Sequence, residues 1–255
     1  MKKIIFYIHT ILLTIWFYIG FLGYVVIYGS IVLLISKLLK LIKGENISER
    51  YLRKVVYNFG KRSFKLMGIK VDVEKEIDLR ELENSPYIVV ANHQSLFDIP
   101  LIIGYVHPVG FIAKKELEKA PIISSFIKSL GSVFIDRKNP SQAAKALREL
   151  RKKLLEGRKL ALFPEGTRTL DGNVKKFKKG SLMIPYRYGI KIVPVSIDGT
   201  YYMNKKGEHL IKPHKIKVKI FKAIDPKEYE NESDLIDYVY NLIASEVNKD
   251  KKEVI

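Results

Sequence analysis

The feature that most restricts how this chain can fold is a long apolar segment at its N-terminus. Residues 4–35 contain no charged side chain, and only isolated His, Thr, Gly and Ser residues interrupt the apolar run. A cleaved signal peptide has an apolar core of roughly 7–15 residues, so this longer segment is predicted to stay in or on a membrane. One straight helix of this length would extend about 48 Å at 1.5 Å per residue, well beyond the roughly 30 Å hydrocarbon core of a bilayer.

Two glycines near the middle of the segment, Gly20 and Gly23, mark a candidate bend. A bend there predicts a membrane-embedded helical hairpin over residues 1–43. Such a hairpin would bring the lysines after the segment to the same side of the membrane as Lys2 and Lys3, in agreement with the positive-inside tendency. A single tilted transmembrane helix is the alternative.

The charge of the chain indicates an anionic partner, because the formal net charge is +18. Residues 36–70 hold ten Lys or Arg and two Glu, directly after the apolar segment, whereas residues 225–255 hold nine acids and four bases. A polybasic stretch beside an apolar one is typical of proteins that bind anionic lipid head groups. The predicted partner is therefore an anionic membrane, and no nucleic acid is expected.

The remainder of the chain has the pattern of an α/β domain. Apolar residues at helical spacing among basic ones, with a stop at Gly68, predict an amphipathic surface helix over residues 44–68. Asn139-Pro140 and Gly157 bound the clearest later helix. Helical patterns alternate with seven β-rich runs at residues 69–73, 87–91, 109–113, 132–136, 159–163, 191–197 and 215–221. Residues 69–255 are thus predicted to form an α/β domain, with a mostly parallel or mixed sheet flanked by helices.

Sites in such folds lie in the loops beyond the carboxyl ends of the strands, which singles out two loops. The first spans residues 92–98, Asn-His-Gln-Ser-Leu-Phe-Asp. Asp98 can orient the imidazole of His93, whose second nitrogen then accepts a proton from a substrate hydroxyl. Ser95 and Asp98 also have the spacing of a capping box, so Asp98 can equally serve as a helix cap.

The second loop spans residues 163–169, Phe-Pro-Glu-Gly-Thr-Arg-Thr. Gly166 allows another group to approach the backbone closely, and Arg168 can bind a phosphate through two parallel hydrogen bonds. Charged side chains that follow an apolar strand seldom serve packing alone. This loop is predicted to bind an anionic group.

The two loops resemble motifs of the glycerolipid acyltransferase family, and in particular those of the bacterial 1-acylglycerol-3-phosphate acyltransferases. Residues 92–98 are similar to the family's first motif, whose His and Asp are the catalytic pair, and residues 163–168 are similar to its third. Two further stretches match in order, residues 111–117 with 134–137, and residues 193–197. The four blocks extend over about a hundred residues, which makes the resemblance specific.

The resemblance implies that His93 acts as general base, oriented by Asp98, in the transfer of a fatty acyl group to lysophosphatidic acid. The donor would be acyl-CoA or an acyl carrier protein, and no other cofactor and no metal is expected. The residues expected to shape the pocket for the acceptor's phosphate and glycerol are Lys114, Arg137, Glu165, Gly166, Thr167 and Arg168. Lys114 and Arg168 are expected to contact the phosphate directly. The expected location is the cytoplasmic face of the cell inner membrane.

Several alternatives remain open at this point. The acceptor can instead be glycerol 3-phosphate or another lysophospholipid, and a non-enzymatic basic protein that binds membranes or nucleic acid would need neither His93 nor the loop at residues 163–169. Lysines 175, 176, 178 and 179 can meet phosphates of the acyl donor, an acidic carrier protein or lipid head groups, or simply be solvated. The absence of cysteine excludes disulfides and thiol nucleophiles.

Overall fold

A computed structural model describes residues 2–136 and 140–247. The contacts between residues divide the chain into two compact units. The first contains the N-terminal residues through Ile69, the stretch Ile99–Ala146 and the short segment His209–Pro213. The second contains Lys70–Asp98, Leu147–Glu208 and the chain from His214 onward.

The N-terminal apolar segment is one continuous helical run. Helix α1 (Lys2–Ile15) passes through a π-helical stretch (Trp16–Phe21) into helix α2 (Leu22–Lys43), with right-handed helical backbone angles at both junctions. The turn predicted at Gly20 and Gly23 is therefore wrong, because glycine permits a turn without imposing one. By length and composition the run Ile4–Lys43 can cross a membrane, and only 17% of its most apolar window is buried.

The chain reverses direction at Gly44 instead, where φ is +88°. Helix α3 (Glu45–Leu66) then returns antiparallel to α2. The Oγ atoms of Ser36 and Ser48 lie 2.7 Å apart near the turn, and the rings of Phe21 and Phe59 lie 5.3 Å apart farther along. Residues 45–66 are thus helical, and this helix forms a hairpin with α2 that turns at Gly44. Its predicted position on the membrane surface stays a prediction.

The rest of the first unit follows Asp98, the first residue of helix α4 (Asp98–Leu101). Its further elements are a π-helical turn (Ile102–Val106), β3 (Gly110–Lys114), a 3-10 turn (Lys115–Lys119), α5 (Pro121–Ser129), β4 (Val133–Ile135) and α6 (Pro140–Leu155), which crosses into the second unit. Strands β3 and β4 pair in parallel. Helix α3 approaches the π-helical turn so closely that a Cβ atom on Gly104 would lie 2.3 Å from the backbone N of Lys61.

Five strands form the sheet of the second unit. They are β1 (Val71–Lys75), β2 (Tyr87–Ala91), β5 (Leu160–Leu162), β6 (Lys191–Asp198) and β7 (Ile216–Ile220). Their order is β1-β7-β6-β2-β5. Strand β2 is parallel to both β5 and β6, whereas β7 is antiparallel to β6 and parallel to β1. The predicted α/β fold with a mixed sheet is confirmed, and all seven predicted strands are present in the described residues.

Helices and short turns complete the second unit. They are a 3-10 turn (Leu79–Leu82), α7 (Met183–Tyr188), α8 (Thr200–Met203), a second 3-10 turn (Pro226–Glu228) and α9 (Glu232–Glu246). Every residue of β2 is buried, as expected for a strand with parallel neighbours on both sides. Because β5, β2 and β6 run in the same direction, their carboxyl ends lie at one edge of the sheet.

Candidate active site

Three loops leave this edge of the sheet in the second unit. Residues 92–98 follow β2, residues 163–169 follow β5, and Gly199 and Thr200 follow β6. Two hydrogen bonds join the first two loops: Glu165 Oε1 accepts from His93 N at 2.7 Å, and Thr169 N donates to the His93 carbonyl oxygen at 2.9 Å. The two motifs singled out in the sequence are therefore adjacent, as the parallel order of their strands predicts.

Asp98 lies at the centre of the first loop and is fully buried. Its Oδ2 lies 2.7 Å from His93 Nδ1 and also accepts from the backbone N–H groups of Gln94 (2.6 Å) and Ser95 (2.8 Å). Its Oδ1 accepts from the hydroxyl of Thr200 at 2.6 Å. With donors on both oxygens, the carboxylate has one defined orientation, and this orientation is transmitted to the imidazole.

The structure shows one of the two hydrogen bonds of the capping box predicted for Ser95 and Asp98. The bond from Ser95 N to Asp98 Oδ2 is one arm of a capping box. The second arm is missing, because Asp98 N donates to the Ser95 carbonyl oxygen at 3.3 Å and not to the hydroxyl. The Ser95 hydroxyl donates to the Asn204 carbonyl oxygen at 3.0 Å and accepts from Phe97 N at 3.5 Å. Ser95 is fully buried and its hydroxyl is bonded to the Asn204 carbonyl oxygen, so it is not presented to a substrate as a nucleophile. Asp98 thus closes the turn and holds the imidazole with the same oxygen.

His93 is held on its second side by an aromatic contact. Its ring stacks on Phe163 of the second loop, with the ring centroids 4.1 Å apart and the planes 14° from parallel. Its side chain is 15% exposed. Because Nδ1 donates its proton to Asp98, Nε2 carries the lone pair. Among the described residues Nε2 has no hydrogen-bond partner, so it is the atom available to a substrate hydroxyl.

The loop after β6 supplies Thr200, a residue that sequence reasoning missed. Thr200 is fully buried, and its hydroxyl oxygen also lies 3.2 Å from Gln94 Oε1. The amide nitrogen of Gln94 donates to the Gly172 carbonyl oxygen. Asn92 exchanges two hydrogen bonds, each 2.8 Å long, with the backbone of Ile197. The sequence feature that could have identified Thr200 is the pair Gly199-Thr200, which follows the apolar run of β6 as the two recognised loops follow their strands.

Glu165 ties the site together through backbone amides. Its side chain is buried, and its Oε2 accepts from Lys175 N at 3.1 Å while Oε1 accepts from His93 N. Burial raises the pKa of Glu165 to about 7, with the charge of Asp98 adding to the rise; the two amide hydrogen bonds oppose it. Both carboxylate oxygens are engaged by the protein. The predicted role of Glu165 in acceptor binding stays a prediction.

The next three residues of the loop carry its polar surface. Gly166 has φ of +72°, and its N–H donates to the Phe163 carbonyl oxygen at 3.0 Å, so this amide is not free to stabilise an oxyanion. Thr167 Oγ1 accepts from Lys206 Nζ at 3.0 Å. Arg168 is partly exposed and forms no hydrogen bond or ion pair within the described residues. Its guanidinium is available to an anion.

For two further predicted site residues the role stays a prediction. Lys114 belongs to the first unit, is 66% exposed and pairs with Glu116 at 3.0 Å. Arg137 lies outside the described residues. Within residues 2–136 and 140–247, His, Asp and Glu form no group of three or more that could hold a metal ion.

Comparison with known proteins assigns the chain to a family. The model of the family described as Acyltransferase matches residues 70–198, a range that contains both recognised loops and all of β6. The chain belongs to the acyltransferase family. In Mycoplasma genitalium, a protein named probable 1-acyl-sn-glycerol-3-phosphate acyltransferase is 32% identical to this acyltransferase over 214 residues, which cover 78% of each chain.

Two further relatives differ in how much of their length is matched. The crystal structure of the 1-acyl-sn-glycerophosphate (LPA) acyltransferase PlsC from Thermotoga maritima is 40% identical to this acyltransferase, with a TM-score of 0.83, and the match covers 96% of this chain and 95% of that chain. The 1-acyl-sn-glycerol-3-phosphate acyltransferase of Chlamydomonas reinhardtii is 33% identical over 163 residues, 64% of this chain. The acyltransferase spans about half the length of that algal relative, since the match covers 48% of it.

Proposed function

We propose that this acyltransferase moves a fatty acyl group from an acyl thioester to the free 2-hydroxyl of lysophosphatidic acid, giving phosphatidic acid. The observation that carries the proposal is the 2.7 Å contact between His93 Nδ1 and the buried Asp98 carboxylate, which leaves Nε2 open. The names of the bacterial and algal relatives support the acceptor, because each is a 1-acyl-sn-glycerol-3-phosphate acyltransferase by name.

The proposed reaction begins with general base catalysis. His93 Nε2 takes the proton of the acceptor hydroxyl as the hydroxyl oxygen attacks the carbonyl carbon of the thioester. Asp98 holds the tautomer with the proton on Nδ1 and stabilises the imidazolium that forms. When the tetrahedral intermediate collapses, the C–S bond breaks and the imidazolium returns its proton to the sulfur of the leaving thiol.

The proposed mechanism has no covalent acyl-enzyme. The chain has no cysteine, and the nearby Ser95 is fully buried with its hydroxyl bonded to the Asn204 carbonyl oxygen. Direct attack by the acceptor needs only one base and one leaving thiol, and the site supplies that base. The donor is acyl-CoA or an acyl carrier protein, with no metal and no further cofactor in the proposed reaction.

The acceptor is proposed to reach the site from a membrane, with its phosphate bound by Arg168. Large apolar side chains such as Ile5, Leu12 and Ile27 are 60–68% exposed on the N-terminal helices, where lipid would cover them. The basic residues that follow these helices match an anionic leaflet. We place the protein at the cytoplasmic face of the cell inner membrane.

The test is acyl transfer by the full chain in vesicles, with lysophosphatidic acid and either acyl-CoA or acyl carrier protein as donor. The product is identified by mass spectrometry. His93→Gln should abolish transfer, and His209→Gln, at an exposed histidine outside the motifs, should retain it. Substantial turnover by folded His93→Gln protein would refute the mechanism. A product only from glycerol 3-phosphate or another lysophospholipid would reassign the acceptor.

A further inference from the structure

Two lysine side chains converge on consecutive residues of the loop after β5. Lys206 Nζ donates to Thr167 Oγ1 at 3.0 Å. The side chain of Lys178 lies against Gly166, since a Cβ atom there would be 2.7 Å from Lys178 Nζ and 2.8 Å from its Cε. Successive Cα atoms are about 3.8 Å apart, so both ammonium groups border the same short stretch of backbone. Arg168 is the next residue.

The fold places both lysines at this stretch through backbone bonds. Lys178 N donates to the Pro164 carbonyl oxygen at 3.1 Å, which ties its segment to the loop. Lys206 lies in a short loop closed by the bond from Asn204 Nδ2 to the Glu208 carbonyl oxygen at 2.9 Å. Gly166 leaves the space that the Lys178 side chain occupies, because any side chain at this residue would fill it.

The carboxylates of the same loop are hydrogen-bonded to other groups and, within the described residues, form no ion pair with these side chains. Both carboxylate oxygens of Glu165 accept hydrogen bonds from backbone amides. The carboxylate of Asp171 accepts from Thr169 and Asn173. Across residues 2–136 and 140–247, no ion pair involves Lys178, Lys206 or Arg168. Two ammonium groups at residues 166 and 167, with Arg168 as the next residue, favour a bound anion with several acceptor oxygens.

We propose that Lys178 and Lys206, together with Arg168, bind a phosphate monoester at residues 166–168. This inference rests on the proposed function and adds residues to its substrate site. A phosphate monoester carries up to two negative charges and three strong acceptor oxygens, which suits two lysines and a neighbouring arginine. The group comes either from the acceptor, as the phosphate of lysophosphatidic acid, or from the donor, as the 3′-phosphate of coenzyme A.

The kinetic test compares Lys178→Gln, Lys206→Gln and their double variant with a matched control, the double variant Lys191→Gln and Lys222→Gln. The control removes the same two charges at exposed positions outside the recognised motifs. Each site variant should raise the KM of one substrate roughly twofold to fivefold, as expected for the loss of one exposed charged contact. The double variant should raise it more, with kcat changed less than about twofold, and the control should resemble the wild type.

The identity of the affected substrate assigns the phosphate. A rise in the KM of lysophosphatidic acid alone assigns it to the acceptor. A rise in the KM of acyl-CoA, absent with the acyl thioester of 3′-dephospho-coenzyme A, assigns it to the donor. If neither KM of the double variant differs from that of the control, the inference is overturned.

A binding measurement separates this inference from the proposed function. Full-length His93→Gln protein in vesicles should bind glycerol 3-phosphate or adenosine 3′,5′-bisphosphate by calorimetry, and adding both lysine substitutions should weaken that binding. Lysine-dependent binding without any acyl transfer by the wild type would retain the site and reject the reaction. Acyl transfer by the wild type, with ligand binding that is unchanged by both lysine substitutions, would retain the reaction and reject the site.

Discussion

The hydroxyl of Thr200 offers the sharpest test of how the proposed catalytic pair, His93 and Asp98, is positioned. Thr200→Val keeps the shape of this fully buried side chain but removes the only donor to Asp98 Oδ1 among the described residues. A hydrogen bond to a charged acceptor contributes about 1.5–3 kcal/mol, and the oxygen left behind is buried. The new methyl group would also stand where the hydroxyl now lies 2.6 Å from Oδ1, so the carboxylate must move by several tenths of an ångström.

We expect Thr200→Val to lower the free energy of unfolding by about 1.5–3 kcal/mol. We also expect it to lower kcat about tenfold to a hundredfold, which corresponds to about 1.4–2.7 kcal/mol of barrier. The acceptor KM should change little, because Thr200 acts on Asp98. Thr200→Ser keeps the hydroxyl and should restore most of kcat. Urea unfolding and initial-rate kinetics measure the two effects separately. If folded Thr200→Val and Thr200→Ser proteins have the same kcat, Thr200 has no positioning role.

Three other substitutions test separate parts of the structure. Burial raises the pKa of Glu165 to about 7, so the native state binds the proton of this carboxyl group more tightly than the unfolded chain does. The free energy of unfolding should therefore fall as the pH rises from about 4.5 to about 7. Glu165→Gln should lack this part of the pH dependence in urea titrations. Arg168→Ala should raise the acceptor KM about tenfold or more with a smaller change in kcat, and an unchanged KM would remove Arg168 from the phosphate site. Gly104→Ala should lower the thermal midpoint strongly, since its Cβ would lie 2.3 Å from the backbone N of Lys61, whereas Gly23→Ala, with no atom within 4 Å, should not.

The sequence alone determined the strands of the α/β domain and the two motifs proposed to be catalytic. Apolar runs bounded by turn residues identify strands, because a strand buried on both faces needs an almost continuous apolar run. The carboxyl ends of such strands then point to residues 92–98 and 163–169, whose acid, base and arginine have few structural uses at the end of an apolar strand. The structure brings both loops together at one sheet edge, joined by the bond from His93 N to Glu165.

Only the tertiary structure decided how those motifs are supported and where the helical hairpin turns. Thr200 meets Asp98 across 102 residues of chain, and sequence patterns do not show which strand end will face which. For the same reason Glu165, whose carboxylate could equally face solvent, is known to bind backbone amides only from the fold. Near the N-terminus, Gly20, Gly23 and Gly44 are alike as residues. The reversal lies at Gly44 because antiparallel packing of α3 on α2 stabilises a positive φ there, whereas Gly20 and Gly23 remain inside a continuous helical run.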